Sequence, residues 1–353
     1  MMNKRINRDK YNTLSEFSHY FKECIQESDI SREERIMALS PDKIKSIEEK
    51  GFFGKLFGKS KPEKQPSRLP EGFPISESEL KQITDAIDAE TKKPTVFINI
   101  GEQTSGDVSP DASVLGGLPP YVGQIPLDSK GKQLRFLIQI NCKHLSSLPN
   151  FPHEGIIQLW LDRNLNTDSG CYRVLYFADT KAPSKLDKID RSIYGNGHEW
   201  CCVDSNYKDE NKQFNLSFKS GFNYLAPYSW DEVDDYDKLF AKHWNEIVSD
   251  ESKHIKPDQV FDIIKQVPKD FNPHFTRKNE YDPYNNKLGG YPGFTQNDPR
   301  RSGWTSENSV LLLQLDSKGP LMWGDCGSAQ VFIKKNDLEH LRFGHILFDW
   351  ACY

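Results

Sequence analysis

Leu115-Gly116-Gly117-Leu118-Pro119 returns later in the chain as Leu288-Gly289-Gly290-Tyr291-Pro292. Each copy reads as a backbone device. Two glycines permit positive φ or a close backbone approach, and the proline fixes the exit direction. A phosphate-cradling loop would need a following Lys-Ser/Thr and a helix start, and neither stands there. The blocks that follow repeat as well. Phe136-Leu137-Ile138-Gln139-Ile140-Asn141 returns as Leu311-Leu312-Leu313-Gln314-Leu315-Asp316, and Gly155-Ile156-Ile157-Gln158-Leu159-Trp160 as Gly327-Ser328-Ala329-Gln330-Val331-Phe332. The separations are 173, 175 and 172 residues. Three blocks in one order at nearly one separation predict two copies of a single unit, packed around a pseudo-twofold axis.

The rest of the 353-residue chain is consistent with such a domain. Hydrophobic residues make up 36% and aromatic residues 12%, enough to build a core. The 46 basic and 51 acidic side chains leave a net charge of −5, which argues against a general nucleic-acid binder. The stretch from Met1 to Asp9 has basic residues but no apolar region after them, so no secretory signal is read there. No apolar run is long enough for a transmembrane helix. Seven cysteines, an odd number without CxxC spacing, read as free thiols in a reducing compartment, with the cytoplasm as the expected location.

Along the chain, residues 1–59 form a predicted helical N-terminal extension. Leu14, Phe17, Tyr20, Phe21 and Ile25 recur at helical steps. Residues 60–75, charged and rich in proline, are the linker. Residues 76–353 form the duplicated domain, with halves at about 94–225 and 226–353. A helix is predicted over 78–93 and strands over 95–100, 136–141, 155–161, 172–177, 200–203 and 214–218. Helices follow from about 229 to 248 and from 257 to 267, then strands over 310–316, 328–333 and 346–350. Short loops between strands predict antiparallel pairing. The fold class is therefore α+β, a mostly antiparallel sheet with flanking helices.

The repeated glutamines are the candidate functional residues. Gln139, Gln158, Gln314 and Gln330 each stand between apolar neighbours in a strand. A mid-strand amide must be hydrogen-bonded or face solvent. Strict alternation sets Leu137, Gln139 and Asn141 on one face, and Leu312, Gln314 and Asp316 likewise. Two readings follow: amides and Asp316 lining a polar ligand-binding cleft between the halves, or amides tying strands and loops together. Asp325, between Gly324 and Cys326-Gly327, suits a turn and is a further candidate for the cleft. His198, Cys201 and Cys202 are close, but a metal site needs ligands spaced from two places. No GxSxG, HExxH, Walker or calcium-loop pattern occurs, so no catalytic residue, metal or cofactor is assigned. Phe52, Phe53 and Phe57 sit among glycines and lysines. That segment reads as a helix end docked on the main domain, against the alternative of an interfacial membrane anchor.

Taken together, Ser113 to Pro119, Phe136 to Asn141 and Gly155 to Trp160 resemble the YwqG-like family, a domain of unknown function. Lys287 to Pro292, Leu313 to Asp316, Gly324-Asp325-Cys326-Gly327 and the C-terminal Asp349-Trp350-Ala351-Cys352-Tyr353 carry the resemblance through the second half. It covers about residues 94–353 and implies a bacterial α+β domain with internal duplication and no established catalytic set. Some relatives are encoded among toxin and immunity genes. The expected function is a non-catalytic, cytoplasmic protein-binding module of immunity type or associated with a toxin. The alternative is a small-ligand binder or enzyme using the cleft.

Overall fold

The computed structural model describes residues 68–104, 108–162, 164–193, 213–225, 233–268, 282–300, 304–305 and 308–352. The predicted N-terminal helices, the segment with Phe52, Phe53 and Phe57, the first half of the linker, the strand over 200–203, and His198, Cys201 and Cys202 lie outside these residues.

Helix α1 (Glu77–Thr91) begins at a capping box. Ser76 Oγ accepts the Glu79 N–H, and the Glu79 carboxylate accepts the Ser76 N–H at 2.7 Å. The helix expected over 78–93 thus starts one residue earlier and ends two residues earlier than its periodicity suggests. Leu80, Ile83 and Ile87 form the buried stripe. They pack with Tyr236, Phe240 and Trp244 of α2 (Val233–Ile247) and with Val260 and Ile264 of α3 (Val260–Gln266). His243 pins this layer, with ring nitrogens 2.9 Å from the carboxylates of Glu90 and Glu246.

The sheet is antiparallel throughout and has ten strands. They are β1 (Lys93–Gln103), β2 (Val114–Leu115), β3 (Arg135–Asn141), β4 (Ile156–Leu161), β5 (Tyr172–Phe177), β6 (Phe214–Asn223), β7 (Lys287–Gly289), β8 (Ser309–Asp316), β9 (Ser328–Lys334) and β10 (Ile346–Ala351). A short helix α4 (Lys335–Glu339) joins the last two. The order is β10-β9-β8-β7-β1-β6-β2-β3-β4-β5. Two arms of five strands thus meet at the long β1–β6 pair. In one arm Val114 of β2 lies between Gln139 of β3 and Asn215 of β6. In the other, Lys287 of β7 lies between Gln314 of β8 and Phe97 of β1. The sheet therefore sets β1 beside β7, although in sequence it precedes β2, so a division at residue 225 does not follow the arms.

One face of the sheet curls over the main core, giving a nearly barrel-shaped body. Val96, Ile98, Leu115, Ile138, Ile140, Leu159, Leu288, Leu313 and Val331 all belong to that core. The edge strands β5 and β10 meet through side chains. Tyr172 lies against Phe348 and Tyr176 against Phe343, with ring centroids 5.4 Å apart in each pair. The Trp350 indole N–H donates to the Leu165 carbonyl at 2.9 Å.

A β-bulge corrects the face assignment made from strict alternation. Register slips between Phe136 and Ile138 in β3 and between Leu311 and Leu313 in β8. The extra residue puts Leu137 and Leu312 in the main core beside Ile138 and Leu313. Phe136 and Leu311 take their places on the outward face, against Trp160 and Phe332 respectively. Gln139 and Gln314 remain on that outward face.

Both glycine blocks are strand ends that enter left-handed turns. Gly116, Gly117, Gly289 and Gly290 have φ of 74°, 66°, 69° and 73°. A Cβ on Gly290 would lie 2.5 Å from Thr95 Oγ1 and 2.9 Å from Asn223 Oδ1. Gly290→Ala is expected to cost about 2–4 kcal/mol from the backbone conformation and overpacking together. Urea denaturation checks this; an unchanged midpoint would refute the account of the turn.

Candidate functional site

The six candidate residues fall into separate places. Gln139 of β3 faces Gln158 of β4, and Gln314 of β8 faces Gln330 of β9. Four strands, β2, β6, β1 and β7, lie between the two pairs. Asp316 ends β8, and Asp325 is exposed in the turn before β9. The structure does not bring these residues into one cleft. On the core side, the space between the arms is lined by nine aliphatic side chains, among them Ile138, Leu159, Leu288 and Val331. Its cavity volume is about 10 Å³. An apolar void of that size stays dry.

Each glutamine is committed to local backbone. Gln139 Nε2 donates to the carbonyls of Pro110 at 2.9 Å and Ala112 at 2.7 Å. Gln314 Nε2 donates to the corresponding carbonyls of Pro283 and Asn285. The Asn141 N–H donates to Ser113 Oγ at 2.8 Å, and the Asp316 N–H to Asn286 Oδ1 at 2.7 Å. Gln158 Nε2 donates to Tyr121 O and to Gln139 Oε1 at 2.8 and 2.7 Å. Gln330 Nε2 donates to Gly293 O at 2.6 Å, while the Gly293 N–H donates to Gln314 Oε1 at 2.8 Å. In both arms the amides fasten the segment before the glycine turn, and the segment after it, to the outward face of the sheet. Gln139, Gln158 and Gln314 are fully buried. Their geometry is that of strand-to-loop ties.

A pair of lysines extends the pattern. Gln139-Ile140-Asn141-Cys142-Lys143 matches Gln314-Leu315-Asp316-Ser317-Lys318. The lysine stands two residues past the strand end in each run. Lys143 Nζ lies 3.8 Å from the Asp111 carboxylate, a loose and exposed pair. Lys318 Nζ is held in a cage instead. It contacts the Tyr284 carbonyl at 3.0 Å, Asn285 Oδ1 at 3.1 Å, Asp316 at 3.3 Å and Asp282 at 3.4 Å.

The second arm therefore carries ionisable groups where the first carries neutral ones. Asp316 stands where the first arm has Asn141, Lys287 where it has Val114, and Asp349 of β10 where it has Leu175 of β5. Burial pushes the Asp316 carboxyl up to about 6, with Asp282 adding to the shift and Lys318 opposing it. Burial likewise raises Asp349 to about 6. Burial works against the Lys318 ammonium, but Asp282 and Asp316 outweigh it and the pKa rises. Among the described residues no group of three or more His, Cys, Asp or Glu is placed to hold a metal ion. Cys142, Cys171, Cys326 and Cys352 are free thiols. Burial pushes the Cys142 thiol up to about 12, which makes it inert.

Two outcomes test this assignment. Gln314→Ala strands the Gly293 N–H and two carbonyls in a buried site, and is expected to cost about 2–4 kcal/mol by urea denaturation. A loss below about 0.5 kcal/mol would refute its role as a tie. For Asp316, the folded pKa lies above the unfolded value. Its contribution is fully present below pH about 4 and is lost as pH rises through about 6. Stability is thus expected to fall by up to about 3 kcal/mol from this group between pH 4 and 7, and Asp316→Asn is expected to flatten that slope. An unaltered slope in the variant would count against it.

No curated protein matches the chain. Residues 113–352, which hold both glycine turns and all four glutamines, match the family model described as a domain of unknown function (DUF1963), and the chain belongs to that family.

Proposed function

We propose that this protein is a non-catalytic protein-binding module that docks through the outward face of β1 and β6. The observation that carries this reading is the exposed centre of the sheet. On that face Asn99, Gly101, Asn215, Ser217 and Lys219 are all exposed, and Phe97 is half-buried beside them. β1 and β6 pair over most of their length, and their other face packs into the main core. A two-strand platform left exposed at the centre of the sheet, with Phe97 available as an aromatic contact and polar residues around it as a rim, supports a docking face. The glutamines that would line a ligand cleft are spent on backbone, which favours this reading over a small-ligand one.

The net charge of −5 favours encounter with a basic partner, and a toxin is the partner class to test first. No helix among the described residues is long and apolar enough to cross a membrane. A cytoplasmic site of action is part of the proposal, supported by the free thiols of the described cysteines. The matched ties under the two glycine turns support descent of the arms from one duplicated unit. The same motifs favour placement in the YwqG-like branch and a bacterial source.

Calorimetry of the purified full chain against the protein encoded by each neighbouring gene tests the reading. One neighbour is expected to bind, and Ser217→Arg is expected to weaken it at least about tenfold, or about 1.4 kcal/mol. Binding by none of them, or binding indifferent to Ser217→Arg, would overturn the assignment of this face.

A further inference from the structure

Lys287 is a fully buried lysine in the middle of the sheet. It occupies the first position of β7, opposite Phe97 of β1 and Gln314 of β8. Its Nζ donates to Asn223 Oδ1 at 3.0 Å, past β1 to the last residue of β6. That same oxygen accepts the Tyr291 N–H at 2.9 Å, and the Tyr291 hydroxyl donates to the Thr91 carbonyl at the end of α1 at 2.7 Å. The Asn223 oxygen therefore joins Lys287 of β7, its own strand β6 and the second glycine turn at one point, and Tyr291 carries the link on to the helical layer. The corresponding position in the first arm is Val114, which makes no such link.

The surroundings of the amine are nearly neutral. Asn223 is an amide and forms no ion pair with it. Asp282 from the segment before β7 and Asp316 from β8 attract a charge on it, and Lys318 repels one. Both acids are already engaged by Lys318. From β1, Thr95 and Phe97 bring no charge, and the Lys93 ammonium sits 3.6 Å over the Tyr291 ring. From β6, Lys219 lies opposite Phe97 and is exposed. From α1, Asp88 is the buried acid one turn before Thr91. A buried ammonium with one neutral acceptor is unfavourable, and the neutral amine keeps an N–H to donate.

We propose that Lys287 is a proton-controlled joint between the two arms, which holds them when its amine is neutral and loosens them when it takes a proton. Burial draws its pKa down to about 7, so the change falls near neutrality. The folded pKa lies below the ordinary lysine value, so the unfolded chain binds more protons above pH 7. Stability from this group rises as pH increases from about 7 toward 10.5. Asp316 and Asp349 run the other way as pH rises through about 6, so between pH 6 and 8 they oppose the effect of Lys287 and cannot imitate it.

Hydrogen exchange of the full chain at pH 8 and pH 6, corrected for the intrinsic rate, tests the joint. Peptides spanning Leu288–Tyr291 and Gly221–Asn223 are expected to exchange at least about fivefold faster at pH 6, and Lys287→Met is expected to abolish that difference. Equal protection at both pH values, or a difference that survives in Lys287→Met, would overturn the proposal. Should the variant fail to fold, NMR titration of the lysine Cε and Nζ signals in the wild-type chain decides. A buried lysine signal with a midpoint near neutrality supports the joint, and titration of every lysine near its ordinary value refutes it.

Discussion

Buried amide groups have to be hydrogen-bonded, and that constraint organises this molecule. The loops that cover the outward face of each arm have carbonyls and N–H groups that no neighbouring strand can satisfy. A glutamine in β3 and another in β8 reach up to those groups from within the sheet. The bulge one step earlier in each strand is what keeps these side chains on the outward face while the residues before them turn into the core. The loop so held delivers the chain into the glycine turn at a fixed angle. The turn in turn sets the short strand, β2 or β7, against the central pair. Bulge, glutamine, loop and turn act as one device, present in both arms.

Much of this was legible in the sequence. Repeated blocks pointed to matched arms, and turn residues marked where strands stop. The periodicity of Leu80, Ile83 and Ile87 found α1. The glutamines stood out as mid-strand amides, with strand-and-loop ties as one of their two readings, and their hydrogen bonds run to loop backbone. Two things were hidden. A bulge leaves no mark in composition, because Leu137 and Leu312 are as apolar as the residues they displace, so alternation misplaced them. Strand order was hidden as well. The segment of β1 reads as an ordinary strand, and nothing local tells that its neighbour is β7 rather than β2.

Charge was the other thing that reading motif by motif passed over. Lys287 is inconspicuous in the sequence, the first letter of a turn block whose glycines draw the eye. Only its alignment with Val114 marks it as a departure. Lys318 and Asp282 are similarly plain until the fold closes them around Asp316, which the strand pattern had already marked. Buried charges gather in one arm and neutral or apolar residues in the other. The first arm shows that the fold forms with neutral residues at these positions, and the second carries ionisable groups at the same ones. Such groups cost stability unless something is gained in exchange. The residues that distinguish the arms are therefore more informative about role than the residues they share.

The position of β1 has a consequence for how the protein is made. It leaves the ribosome first among the ten strands, yet one of its two neighbours, β7, is among the last four. Until β7 arrives, the hydrogen-bonding edge of β1 stays open, and so does the apolar face that carries Val96 and Ile98. A sheet whose central strand waits for distant sequence has high contact order and forms its middle late. The nascent chain is therefore most exposed to pairing with the wrong edge at its very centre, and protection during synthesis matters more for this fold than its final compactness suggests.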